Sequence, residues 1–113
     1  MGIYEIRNTA QLHEGLVVNV TTVAEASYTA LESDYIIEVT YTTTAPVTIT
    51  LTTALVASNY VFHIVDGGDK AGTNNITIET EGTETISGED YIIIAEDGGT
   101  RTIYANGTNW RVL

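Results

Sequence analysis

The sequence predicts an all-β fold, a compact antiparallel β-sandwich or barrel-like domain with an N-terminal arm. Threonine accounts for 20 of the 113 residues and tyrosine for 7, and β-branched and aromatic residues favour pleated strands. Short runs of alternating apolar and polar residues recur along the chain, separated by Gly, Asn and Asp. The length fits one domain.

Residues 1–26 differ from the rest of the chain. Up to Glu14 they follow no clear period, whereas residues 15–23 place valine at alternate positions and predict a strand. Two interpretations of that strand stay open. It either adds to the sheet edge of a neighbouring protein or completes the fold of its own domain. We therefore divide the chain into an N-terminal arm, 1–26, and a β-domain, 27–113.

Seven further strands are predicted after the arm, at 34–41, 47–51, 60–66, 75–80, 91–95, 100–105 and 110–113. In the first of them, alternation is expected to place Tyr35, Ile37, Val39 and Tyr41 on one face. The dipeptide Asn106-Gly107 predicts a type I′ hairpin turn between the last two strands.

The formal net charge of −11, from 15 acidic and 4 basic residues, excludes several classes of partner. Such a surface repels nucleic acid and anionic lipid, and no apolar run approaches the length of a membrane span. Strong negative charge also suits a protein that works in high salt. Cysteine is absent, which removes disulfides and thiolate chemistry.

No motif indicates catalysis, a cofactor or a bound metal. The two histidines, His13 and His63, have no nucleophile or metal-ligand pattern around them, and phosphate loops are missing. We therefore predict that the protein is not an enzyme. Calcium binding by the acidic turns 66–69 and 96–99 stays open, as does glycosylation at the three N-x-Thr sequons, which begin at Asn19, Asn75 and Asn106.

Several motifs between Tyr28 and Val112 occur together in this order. They are Tyr-x-Ala-x-x-x-Asp-Tyr-Ile at 28–36, Val-Thr-Ile-x-Leu at 47–51, Phe62, Ile64, Asp66 and Ala71, Asn-Asn-Ile-Thr-Ile at 74–78, Gly82, Ile86 and Gly88, and finally Tyr104 with Gly-Thr-Asn-Trp at 107–110. In these motifs the chain resembles a small β-module that recurs in virion proteins of tailed viruses of bacteria or archaea. The module is found in tail fibres and in capsid decorations.

The resemblance implies a homotrimeric structural protein of the virion. Gly82, Gly88 and Gly107 would permit turns, and Trp110 would be a buried anchor. Because the module stands alone behind a short arm, it looks more like a decoration (cement or turret) protein on the outside of the shell. The arm would then contact the major capsid protein or other virion proteins, with Ile3, Tyr4, Ile6, Leu12, Leu16 and Val18 as the candidate residues.

Two alternatives remain. A tail-fibre or receptor-binding piece would carry exposed aromatic side chains at one tip, for which Tyr41, Tyr60 and Tyr104 are the candidates, and would bind a host surface glycan. A carbohydrate-binding β-domain unrelated to virions would also bind a glycan. Glycan binding therefore separates both alternatives from a decoration protein.

Overall fold

A computed structural model describes residues 16–41 and 45–113. These residues form nine strands and one helical turn: β1 (Val20–Val23), β2 (Ser27–Thr29), β3 (Ile36–Val39), β4 (Val47–Leu51), α1 (Thr53–Val56), β5 (Val61–Asp66), β6 (Ile76–Thr80), β7 (Tyr91–Ile94), β8 (Thr100–Ala105) and β9 (Trp110–Val112). The all-β prediction is confirmed at this level. Within the described ranges, no helix is long and apolar enough to cross a membrane.

The strands form two sheets, and the first six strands alternate between them. The first sheet has the order β9-β8-β5-β3-β1, and the second has the order β2-β4-β6-β7. Each of the pairs β1–β2, β3–β4 and β5–β6 therefore contributes one strand to each sheet. The chain advances as successive coils, in the manner of a solenoid.

The prediction of antiparallel sheets is wrong, because the coils stack in parallel. β1, β3 and β5 run parallel in the first sheet, and β2, β4 and β6 run parallel in the second. The antiparallel pairs of the described residues are β5 with β8, β6 with β7, and β8 with β9. Parallel neighbours need a crossover connection, and here a strand of the opposite sheet serves as that crossover. Alternation along one strand carries no information about this choice.

One hydrophobic core joins the two sheets. Its fully buried side chains come from alternate positions of the inner strands, Ile37 and Val39 of β3, Ile49 and Leu51 of β4, Phe62 and Ile64 of β5, Ile76 and Ile78 of β6, and Ile103 of β8. Ile and Val are branched at Cβ and pack well on a pleated surface. The alternation that predicted the strands is therefore the alternation that builds the core.

The predicted strand 34–41 is shorter than expected, and its face changes at one end. Ile37 and Val39 share one face as predicted and point into the core, and Tyr41 packs against it. Tyr35 instead lies outside β3, with its ring edge-on to His63 at a centroid distance of 4.8 Å. Its hydroxyl lies 3.1 Å from His63 Nε2. The tyrosine hydroxyl therefore has a hydrogen-bond partner on the outer face of the first sheet.

The predicted type I′ turn is also wrong. Four residues, 106–109, connect β8 to β9, and Gly107 has a φ of 96° whereas Asn106 has no positive φ. The side-chain oxygen Asn106 Oδ1 accepts hydrogen bonds from the backbone N–H groups of Thr108 and Asn109, at 3.0 and 2.9 Å. This local side-chain bonding favours a longer Asx-type turn over the two-residue hairpin.

The two ends of the stacked coils differ. At the far end, residues 85–89 cover the outer side of β9. The Ser87 backbone N–H donates to the Trp110 carbonyl at 2.8 Å, and Ser87 Oγ accepts from the Val112 N–H at 2.9 Å. At the near end, β1 pairs only with β3 and β2 pairs only with β4 among the residues that the structure describes.

Trp110 is the largest fully buried side chain in the described ranges. Its ring stacks on Phe62 at 5.8 Å, and its indole N–H finds no acceptor within the described ranges. Trp110→Ala should lower the free energy of unfolding by about 3–5 kcal/mol. Trp110→Phe should cost no more than about 2 kcal/mol, because it keeps an aromatic ring and removes an unsatisfied donor. Urea unfolding of both variants measures this, and equal losses would contradict it.

Candidate functional site

The predicted receptor tyrosines do not come together. Tyr60 and Tyr104 lie near the start of β5, where the Ala105 N–H donates to the Tyr60 carbonyl and Tyr104 is paired with Val61. Tyr41 lies near the other end of β5, beside Gly68. All three side chains are half-buried. The most exposed aromatic side chain in the described ranges is Tyr91, at 54%, and no feature of the sequence distinguished it.

The residues predicted to have structural roles are three glycines and one tryptophan, and the backbone or packing at each position accounts for the residue type. Gly88 and Gly107 have φ values of 89° and 96°, in the left-handed region that glycine adopts without strain. A Cβ on Gly82 would lie 2.7 Å from Thr53 Oγ1, so close approach, rather than φ, favours glycine there. Trp110 is fully buried.

Of the predicted capsid-contact residues, Ile3, Tyr4, Ile6 and Leu12 lie outside the described residues. Leu16 is 73% exposed and Val18 is half-buried. The sequence prediction missed the neighbouring Val17 and Val20, which are 97% and 52% exposed. Their apolar character was visible in the sequence, but exposure depends on which sheet edge is left without a neighbour.

We call residues 16–31, which include β1 and β2, the first-coil end. Of the 15 acidic residues in the chain only Glu25 lies in this stretch, and it contains no basic residue. A shallow groove of about 580 Å³ lies at the passage from β1 to β2, lined by Thr22, Val23, Ala24, Glu25 and Tyr28. The first-coil end is therefore an almost uncharged, partly apolar surface on a strongly acidic protein.

A buried carboxylate supports the first-coil end from inside. Asp34 Oδ1 accepts a hydrogen bond from Thr21 Oγ1 at 2.5 Å. Asp34 Oδ2 accepts from the Tyr28 hydroxyl and from the Leu31 N–H, both at 2.8 Å. Burial, together with the bond to Asp34, raises the pKa of Tyr28 to about 12. This network fixes β1, β2 and the passage into β3 relative to one another.

A second buried carboxylate joins the two acidic turns that the sequence singled out. Asp66 Oδ2 accepts from the N–H groups of Ala71 and Gly98, at 2.8 and 3.0 Å. Asp97 Oδ1 accepts from the Gly72 N–H at 2.8 Å. The turns meet around a pocket of about 330 Å³ lined by Asp69, Lys70, Thr73, Asn74 and Asp97.

The hydrogen bonds of Asp66 determine its ionisation state. Burial raises the pKa of Asp66, but the hydrogen bonds from the backbone N–H groups of Ala71 and Gly98 outweigh burial, so that the pKa lies below its usual value. Burial and the nearby Asp66 raise the pKa of Tyr41. The Tyr41 hydroxyl also lies 3.1 Å from the Asn74 carbonyl and donates to it. Asp66 thus stays ionised as the acceptor that holds two turns together.

Calcium binding by the acidic turns 66–69 and 96–99 stays open. Within residues 16–41 and 45–113, no group of three or more His, Asp or Glu side chains is placed to hold a metal ion. Asp66 Oδ2 and Asp97 Oδ1 are already occupied by backbone N–H groups. The second carboxylate oxygen, Asp66 Oδ1, is buried and has no hydrogen-bond partner among the described residues.

Both ring nitrogens of His63 lie within hydrogen-bond distance of neighbouring side chains. Its Nδ1 lies 2.8 Å from Thr102 Oγ1, and its Nε2 lies 3.1 Å from the Tyr35 hydroxyl. Both ring nitrogens therefore have hydroxyl partners on the outer face of the first sheet. His13 lies outside the described residues.

No protein-family model matches the chain, and the search of curated proteins finds no match. The resemblance to virion β-modules therefore depends on the sequence motifs alone.

The Tyr28–Asp34 bond generates a prediction for alkaline pH. Because the folded-state pKa of Tyr28 is raised to about 12 from 10.0, folding favours the neutral hydroxyl. Its contribution to stability is fully present below pH 10 and is lost as the pH rises toward 12. Tyr28→Phe should be less stable than the wild type at pH 8 but should lose less stability between pH 10 and 11.5.

Urea unfolding at several pH values measures this difference. Tyr41 also has a raised pKa, so Tyr28→Phe should keep part of the alkaline loss. Identical pH dependence in the wild type and Tyr28→Phe would contradict the prediction.

Proposed function

We propose that this protein is a structural virion protein, a capsid decoration protein that binds the outside of the shell as an oligomer. The observation that carries the proposal is the segregation of charge, an almost uncharged first-coil end on a chain of net charge −11. A decoration protein needs one surface that adheres to the shell, while the remainder stays solvated. Exposed Leu16, Val17 and Val20 supply apolar contact area at that surface.

The finer features of the fold belong to the same proposal. We describe the two sheets with their shared core as a sandwich, and the N-terminal segment, 1–26, as the part that anchors the protein to the shell. β1 is paired in register with β3, so Val20–Val23 would take part as the edge of a formed sheet. The homotrimer follows from the resemblance to virion modules.

The described surface has many carboxylates whose mutual repulsion would be weaker in high salt. Within the described ranges the ion pair between Arg101 and Glu96, at 3.3 Å, is the only salt bridge. Most carboxylates are therefore left without a basic partner. Their mutual repulsion is weakened by salt, since the Debye length falls to about 3 Å at 1 M. This supports a protein that works at high ionic strength.

A second candidate function is a receptor-binding or carbohydrate-binding module. The observation that favours it is the exposed ring of Tyr91 at the edge of the second sheet, because aromatic faces commonly stack on sugars. Glycan binding that is lost in Tyr91→Ala and kept in Tyr104→Ala would favour this candidate over decoration.

Reconstitution on shells tests the decoration proposal. The purified protein is added to shells of the source virus that have been stripped of it. A protein that binds only the assembled shell stabilises it by linkage, so the temperature of shell dissociation should rise until the binding sites are saturated. Saturation should occur at a fixed ratio to the major capsid protein.

The double variant Leu16→Asp with Val17→Asp should bind shells at least about tenfold more weakly, because two exposed apolar side chains that the shell would cover become charged. Tyr91→Asp is the matched control at an exposed apolar residue elsewhere, and it should bind like the wild type. Absence of any binding by the wild-type protein would refute decoration.

A further inference from the structure

The connection between β8 and β9 contains the one Asn-Gly dipeptide of the chain, Asn106-Gly107. In such a pair the backbone nitrogen of glycine is open to reaction with the asparagine side chain, because no Cβ shields it. Both residues are exposed, and a Cβ built on Gly107 would meet no atom within 4 Å. The Gly107 N–H donates to no described residue. The nitrogen of Gly107 is therefore free and accessible to water.

The side-chain amide of Asn106 is held by its oxygen and free at its nitrogen. Asn106 Oδ1 accepts from the backbone N–H groups of Thr108 and Asn109, at 3.0 and 2.9 Å, and no described residue accepts from Asn106 Nδ2. Two N–H groups at a carbonyl oxygen stabilise negative charge that develops there, as in an oxyanion hole. The arrangement therefore supports attack at the amide carbon and leaves the nitrogen of the amide free to depart.

The six other asparagines lack this combination. Each is followed by a residue larger than glycine. Asn19 Nδ2 donates to the Ser33 carbonyl at 2.8 Å, and Asn74 is buried. Asn106 thus differs from the other asparagines both in the residue that follows it and in the surroundings of its side chain.

We propose that Asn106 is a site of spontaneous deamidation, with water as the only co-reactant. Hydroxide removes the amide proton of Gly107, and the nitrogen bonds to Asn106 Cγ, which places negative charge on Oδ1. The Cγ–Nδ2 bond then breaks, and Nδ2 takes a proton from water and leaves as ammonia. The product is a five-membered succinimide, which one water molecule opens to either aspartate or isoaspartate. This inference is independent of the decoration function.

The two products have different effects on the turn. Aspartate keeps a side-chain oxygen in place, so the bonds from Thr108 and Asn109 persist with a charged acceptor. In isoaspartate the main chain runs through the former side chain and is one carbon longer, so that these two N–H groups lose their acceptor. The next residue is the buried Trp110, which begins β9. Isoaspartate at this position therefore loosens the start of β9.

Peptide mapping by mass spectrometry tests the site. Freshly purified full-length protein is kept folded in mildly alkaline buffer and is then digested in heavy-oxygen water, which labels any conversion during digestion. Fragmentation should locate a gain of about 1 Da at Asn106, and this gain should appear at least about tenfold faster than at any other asparagine.

Asn106→Gln is the matched control, because its longer side chain would have to close a six-membered ring. Conversion at this position should fall at least about tenfold. Faster conversion at another asparagine, or no conversion at Asn106, would overturn the proposal. Equal rates in the wild type and Asn106→Gln would show hydrolysis without a succinimide and would also overturn it.

Urea unfolding of the separated products tests the consequence for β9. The unfolding equilibrium constant of the isoaspartate form should exceed that of the wild type about tenfold, since two backbone N–H groups lose their acceptor. Asn106→Asp represents the other product and should stay within about twofold of the wild type. Equal stability of the isoaspartate form and Asn106→Asp would overturn the assigned role of the turn.

Discussion

The shared core of alternating aliphatic side chains is the constraint on which the rest of the molecule depends. Each inner strand contributes its buried residues to one interior, and the two sheets exist because both must cover that interior. The hydrophobic effect is the dominant favourable contribution to folding. Parallel stacking of coils satisfies it with short strands, and antiparallel strands β7 and β8 pair with the third coil. The connections between the strands of these coils need further hydrogen bonds to fix them.

Two buried carboxylates hold the segments that connect one sheet to the other. Asp34 binds the hydroxyl groups of Thr21 and Tyr28 and a backbone N–H in the first coil. Asp66 binds one backbone N–H group from the turn between β5 and β6 and one from the turn between β7 and β8. A buried charge is costly unless it is hydrogen-bonded, so each carboxylate organises its donors around itself. Acidic residues thus have two different roles. Asp34 and Asp66 are buried and accept hydrogen bonds from turn residues, whereas most other carboxylates face solvent without a basic partner.

The sequence predicted the strands and much of the core, because period-two alternation reports directly on a half-buried sheet. The resemblance in motifs pointed to Trp110 as a buried anchor and to Gly88 and Gly107 as turn residues, and these positions are as expected. It did not predict the parallel order of β1 to β6, since sheet pairing is non-local. It placed Tyr35 on the wrong face and misjudged Asn106-Gly107, because hydrogen bonds of their side chains override the local pattern. Exposure of Val17 and Val20 depended on which strand became an edge.

The number of copies of this protein per virion tests the central claim most directly. Quantitative mass spectrometry of purified virions from its source gives the ratio of this protein to the major capsid protein. The account predicts a fixed fraction of the shell lattice, on the order of hundreds of copies, as mass action on equivalent shell sites requires. A few copies would assign the protein to the tail, and its absence from virions would contradict a structural virion role altogether.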